Sequence, residues 1–101
     1  MVKKTLKISW DTKARDDFHD AILFIREQAP QNAEIVKEKV LLVVEKLSSN
    51  PEKHPRDKYR ENNDGRFHAF ELYRFRISYY ISQTEIRIVR FRNTSMKPLK
   101  Y

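Results

Sequence analysis

The sequence predicts an α+β domain in the order β-α-α-β-β-β, with a helical hairpin packed on one face of an antiparallel sheet. Three observations carry that reading. Apolar residues recur at steps of three and four between Ala14 and Leu47, the period of helices that bury one face. From Arg66 to Arg92 the period falls to two, as strands require. Between these regions, residues 51–65 (PEKHPRDKYRENNDG) hold two prolines and the only glycine, which favours turns over regular structure. At 101 residues the chain is expected to form one domain, 1–101, around a modest core.

Each element follows from its own pattern. Residues 5–10 place Leu6, Ile8 and Trp10 on one face of a short first strand. Asp11 is positioned to cap a helix, with Asp16 and Asp17 in its first turns. Ala14, Phe18, Ile22, Ile25 and Ala29 make its apolar stripe, and Pro30 is expected to end it. Ala33, Val36, Val40, Val43 and Leu47 form a second stripe, which Leu41, Leu42 and Val44 broaden, so this helix is expected to be the more buried. Ser48-Ser49-Asn50-Pro51 stops it. So few residues separate the helices that they should pack as an antiparallel hairpin.

Residues 51–65 read as a long exposed loop, with a short strand near Tyr59 and a turn at Asn63-Asp64-Gly65. Three strands are expected after it, at 66–72, 75–82 and 85–91. In the second, Phe75, Ile77, Tyr79 and Ile81 share one face while Arg76, Ser78 and Tyr80 share the other. In the third, Ile86 and Ile88 fall out of phase with Val89 and Phe91. A bulge between Ile88 and Val89 repairs this and puts Arg87, Arg90 and Arg92 together. The sheet face away from the hairpin is expected to stay open and to carry the arginines.

Charge is segregated along the chain. Net charge is +7, but residues 1–64 carry 13 Lys+Arg against 12 Asp+Glu, and residues 65–101 carry 8 against 2. Within 66–92, six arginines alternate with four Phe and three Tyr. A face of this kind can hold phosphates and stack bases, so nucleic acid or a ribonucleoprotein is the first partner expected. Arg66, Arg74, Arg90 and Arg92, with Lys58 and Arg60 from the loop, are the candidate nucleic-acid contacts. There is no cysteine, which excludes disulfides and thiolate metal sites and fits a reducing, cytoplasmic setting. No apolar run suits a signal peptide or a membrane span. His19, His54 and His68 are scattered, so neither a metal nor another cofactor is expected.

The chemistry these residues permit is metal-free cleavage of RNA. Attack by a 2′-OH on its own phosphodiester needs a base near neutral pKa, cations around the phosphorane and an acid for the leaving oxygen. His68 is the candidate base, Arg76 the candidate phosphorane cation, and Tyr101 a candidate for the remaining catalytic role. Arg76 lies mid-strand on the polar face, where a structural arginine would need an acid such as Glu71.

Several segments resemble the RelE/ParE superfamily of bacterial toxins from type II toxin–antitoxin (plasmid stabilisation) systems. They are the ISW strand followed by Ala14, Phe18, Ile22, Ile25, Pro30 and Ala33; the helix end Leu47-Ser-Ser-Asn-Pro51; the strand RFRISYYI with Arg76 and Tyr79; and the closing strand IRIVRFRN. The resemblance covers nearly the whole chain. It implies a growth-inhibiting toxin neutralised by a cognate antitoxin, whose acidic amphipathic segment would fold into an apolar groove beside the hairpin. One branch of the superfamily cleaves mRNA on the ribosome, and the other inhibits DNA gyrase without catalysis. By resemblance Arg76 matches a strand arginine important to cleavage, His68 matches one member of a basic pair and Tyr101 matches a C-terminal aromatic. The pair's second member falls on Phe70, and a closing basic site falls near Asn93 and Thr94. The coexistence of His68, Arg76 and Tyr101 favours a ribosome-dependent mRNA endonuclease, with gyrase inhibition as the alternative.

Overall fold

A computed structural model describes residues 5–101. Its elements are β1 (Lys7–Trp10), α1 (Thr12–Gln28), α2 (Pro30–Lys46), β2 (Phe67–Leu72), β3 (Phe75–Ile81) and β4 (Glu85–Asn93). The sheet order is β1-β4-β3-β2. β2, β3 and β4 are antiparallel neighbours, whereas β1 joins the edge of β4 in parallel, with Ile8 opposite Ile86 and Trp10 opposite Ile88. The sheet is therefore mixed rather than wholly antiparallel. Alternation reveals which face a strand buries but not its direction, and the long connection from β1 to β4 permits the parallel pairing.

Both helices lie on one face. Ala14, Phe18 and Ile22 of α1 and Ala33, Val40 and Val44 of α2 are buried against Ile77, Tyr79, Ile86, Ile88 and Phe91 of the sheet. The Phe18 ring sits 5.2 Å from Trp10 and 5.2 Å from Phe91, joining α1 to two strands. Asp11 holds the N-cap position, but its side chain makes no capping bond; its carboxylate instead lies 3.5 Å from Arg87. Pro30 does not merely stop α1. It is the first residue of α2, leaving Ala29 alone between the helices, a position where proline's missing N–H costs nothing. Helix α2 keeps Leu41 and Leu42 at the surface, so its broad apolar stripe is only partly buried.

The bulge falls where the alternation requires it. Tyr79 pairs with Ile88 and Ser78 with Arg90, which leaves Val89 as the extra residue of β4. Arg87, Arg90 and Arg92 then face away from the helices, beside Tyr80, Ser78 and Arg76 respectively.

The loop 51–65 is less exposed than its composition suggests. It lies along the outer edge of β2, with Asp57 N–H on the Phe67 carbonyl (2.8 Å), Ala69 N–H on the Pro55 carbonyl (3.1 Å) and a bridge between Arg56 and His68. This bridge, not Tyr59, is the loop's strand-like contact. The Asn63 side chain donates to the carbonyls of Asp57 (3.3 Å) and Phe67 (2.8 Å) and accepts from Gly65 N–H (2.9 Å). Gly65 has φ +96°, a backbone conformation that favours glycine in this turn. Tyr79 donates to the Pro51 carbonyl at 2.6 Å, and burial pushes its phenol up to about 12.

Leu47, at the end of α2 and 1% exposed, belongs to the core. Leu47→Ala should cost about 2–5 kcal/mol in urea unfolding, while Phe24→Ala, at a position 61% exposed, should cost under about 0.5 kcal/mol.

Candidate functional site

The sheet face opposite the helices carries Phe67 and Glu71 from β2, Arg76, Ser78 and Tyr80 from β3, and Arg87, Arg90 and Arg92 from β4. Arg76 stands directly across from Arg92, and like charges so placed repel. The chain offsets that repulsion with acids. Arg76 reaches Asp57 at 3.1 Å and Glu71 at 3.4 Å, and its guanidinium lies 4.7 Å from the Tyr59 ring centroid.

Asp57 is the centre of the site. Its side chain is fully buried, and it accepts from Tyr59 N–H (3.0 Å), Arg76 (3.1 Å) and the Tyr101 hydroxyl (2.5 Å). Burial alone would raise its carboxyl. Hydrogen bonds from Tyr101, Tyr59, Arg76 and Ser78 outweigh that and hold it below the usual carboxylate range. The Tyr101 phenol is pushed the other way, by burial first and then by the adjacent Asp57 carboxylate, so it stays protonated as a donor.

The last residues fold back over this face, which is therefore not fully open. Tyr101 N–H donates to the Tyr59 carbonyl (2.9 Å), and Glu61 N–H to the Tyr101 carbonyl (2.6 Å). Arg60 and Arg90 flank the Tyr101 ring, at 5.2 and 4.2 Å from its centroid, and Phe67 meets it edge-on. Each such cation–π contact contributes about 0.5–1 kcal/mol. Arg90 also donates to the Leu99 carbonyl (2.8 Å) and Arg92 to the Lys97 carbonyl (3.3 Å).

The candidate residues thus divide. Arg76, Tyr101, Arg60, Arg90 and Arg92 gather on one face, and Arg66 joins its rim through the Tyr80 hydroxyl at 3.1 Å. Lys58 is exposed beside Tyr59, 5.3 Å from its ring centroid. Arg74 lies in the β2–β3 turn, apart from the cluster, with Tyr73 before it at φ 56°. His68 does not join Arg76. It pairs with Tyr79, one step out of phase with Arg76, and so lies on the helix side of the sheet. There it is buried, stacked on Tyr79 at 5.7 Å, with its ring nitrogens 2.7 and 3.0 Å from the carbonyls of His54 and Gly65. His54 stacks on Phe70 on that same side, and His19 is exposed on α1. None of the three imidazoles reaches the arginine face.

Sequence reasoning missed Asp57. Arg76 called for an acidic partner, but the aperiodic loop gave no sign that one 19 residues away would supply it. Among the described residues, no group of three or more His, Asp or Glu could hold a metal ion, and no helix is long and apolar enough to cross a membrane. The face can bind anions and stack against planar groups, but it holds no imidazole to relay a proton.

A family model described as "ParE toxin of type II toxin-antitoxin system, parDE" matches residues 8–98. A solved chain titled "Chromosomal ParDE TA system from P. aeruginosa" superposes with a TM-score of 0.69 at 16% identity, covering 89% of this chain and 97% of that one. That likeness shows a shared fold. No curated protein sequence is significantly similar.

Asp57 makes the site's stability depend on pH. Its folded carboxyl lies below the ordinary value of 3.8, so its contribution is complete above that value and is lost as pH falls through the folded one. Asp57→Asn should cost about 2 kcal/mol at pH 7. In urea unfolding, the gap between the two proteins should narrow as pH falls from about 5 toward 2.

Proposed function

Because the chain belongs to the ParE toxin family of type II toxin–antitoxin systems, we propose that it arrests growth by binding DNA gyrase, without cleaving RNA. The observation that carries this reading is the separation of His68 from Arg76 and Tyr101 by the thickness of the sheet. Cleavage through a 2′-OH needs a base and an acid within hydrogen-bond reach of one phosphate. On the arginine face the Tyr101 hydroxyl is engaged by Asp57, and Arg76 is held by two carboxylates. What remains is a cationic, aromatic surface suited to holding a target in place.

The antitoxin has a natural seat beside that face, next to Arg92. A groove of about 890 Å³ runs between the helices and the β2–β3 turn, lined by Ala21, Phe24, Val36, Tyr73, Phe75 and Met96. Its apolar floor suits one side of an amphipathic helix. Arg74 and Arg92 at the same groove suit acids on one flank of the helix, while Asp17, paired with Lys13, and Asp20 line the other side.

Ribosome-dependent mRNA cleavage is the second reading, favoured by the gathering of Arg76, Arg90 and Tyr101. The two separate cleanly in vitro. With stoichiometric purified toxin, gyrase supercoiling should stop while mRNA on translating ribosomes stays intact. Cut mRNA with unimpaired supercoiling would overturn the proposal.

A further inference from the structure

The folded-back tail encloses a cavity of about 200 Å³ against the arginine face. Arg76, Ser78, Arg90 and Arg92 line its sheet side, with Met96 and Leu99 of the tail opposite. Register fixes this grouping, because Arg76 pairs with Arg92 and Ser78 with Arg90 on adjacent strands.

The charges in this cavity are unevenly matched. Arg76 has Asp57 and Glu71. Arg90 has the Leu99 carbonyl and the Tyr101 ring, and Arg92 has the Lys97 carbonyl. Among the described residues no carboxylate lies within 4.0 Å of either. A carbonyl satisfies a donor but supplies no countercharge. The Nε of Arg76 is buried without a partner. Burial, and then the neighbouring Arg92, depress the Arg90 guanidinium by more than Tyr101 and Asp57 restore. These are the marks of a cationic recess short of one anion.

Size narrows what could fill it. Water takes about 30 Å³ per molecule in the liquid, so the cavity has room for a group of a few heavy atoms with some hydration. Sites for whole drug-sized ligands begin at about 300 Å³. Glu71 stands at the cavity but is spent on Arg76 and mostly exposed.

We propose that this cavity is a binding site for one compact oxyanion group, a phosphate or a carboxylate, held by Arg90 and Arg92. It does not depend on which macromolecule the toxin inhibits. Guanidinium forks fit either oxyanion with paired charge-assisted hydrogen bonds.

The test is a titration of the full chain, followed by amide NMR, with inorganic phosphate and with acetate. Sodium chloride at matched ionic strength and pH is the reference. Saturable shifts centred on Ser78, Arg92 and Thr94 are expected for at least one oxyanion. Preference for phosphate identifies a phosphorylated ligand, and preference for acetate identifies an acidic protein side chain; either supports the site. Arg92→Gln should weaken the binding about tenfold, while Arg15→Gln, an exposed charge on α1, should leave it unchanged. Shifts that match chloride, that fail to saturate or that centre elsewhere would overturn the proposal. So would undiminished binding by a folded Arg90→Gln/Arg92→Gln protein. Mapping on the unaltered chain keeps the test decisive if the variants do not fold.

Discussion

The Asp57 carboxylate accepts from a backbone amide of its own loop, from Arg76 in the middle of β3 and from the Tyr101 hydroxyl in the tail. These three donors come from parts of the chain that share no regular structure. A buried carboxylate is costly unless every lone pair is engaged, so its placement forces the three into one arrangement. The loop must lie on β2, the tail must cross the sheet, and Arg76 must point toward the loop. The rest of the arginine face is built around that requirement: Arg60 and Arg90 flank the Tyr101 ring, and Arg92 reaches the tail carbonyl that Tyr101's position brings near.

This arrangement bears on function through what it leaves out. A surface of guanidinium and phenol groups is well made for binding, but both groups keep their protons at neutral pH. Catalysis by proton transfer needs a group that can exchange one there. The three histidines are all on the helix side or on the helices themselves. Binding without chemistry fits the proposed action by occupancy, and the apolar groove meets the arginine face at Arg92, Asn93 and Met96.

Much of the fold was legible because periodicity is a local signal. The two helical stripes, the strand phases and the bulge at Val89 all follow from side chains that must share a face. The bulge was the most informative of these, since a single slipped residue determined that Arg90 and Arg92 would join Arg76. The direction of β1 was not legible, because parallel and antiparallel edge strands alternate alike. The site was legible only in part. Arg76 stood out as a cation in need of a partner, but Asp57 sits in an aperiodic loop, where nothing local marks an acid for burial. His68 was misleading for a related reason. Its imidazole suited the role of base and the resemblance matched it to a basic pair, yet pairing with Tyr79 places its ring on the helix side of the sheet.

The claim on which the rest depends is that Asp57 holds loop and tail onto the arginine face. Amide hydrogen exchange on the unaltered protein and on Asp57→Asn tests it most directly. The account predicts that protection at Glu61 and Tyr101, whose amides join loop to tail, falls sharply in the variant while Ile77 and Ile86 in the sheet stay protected. Equal protection of Glu61 and Tyr101 in both proteins would contradict it.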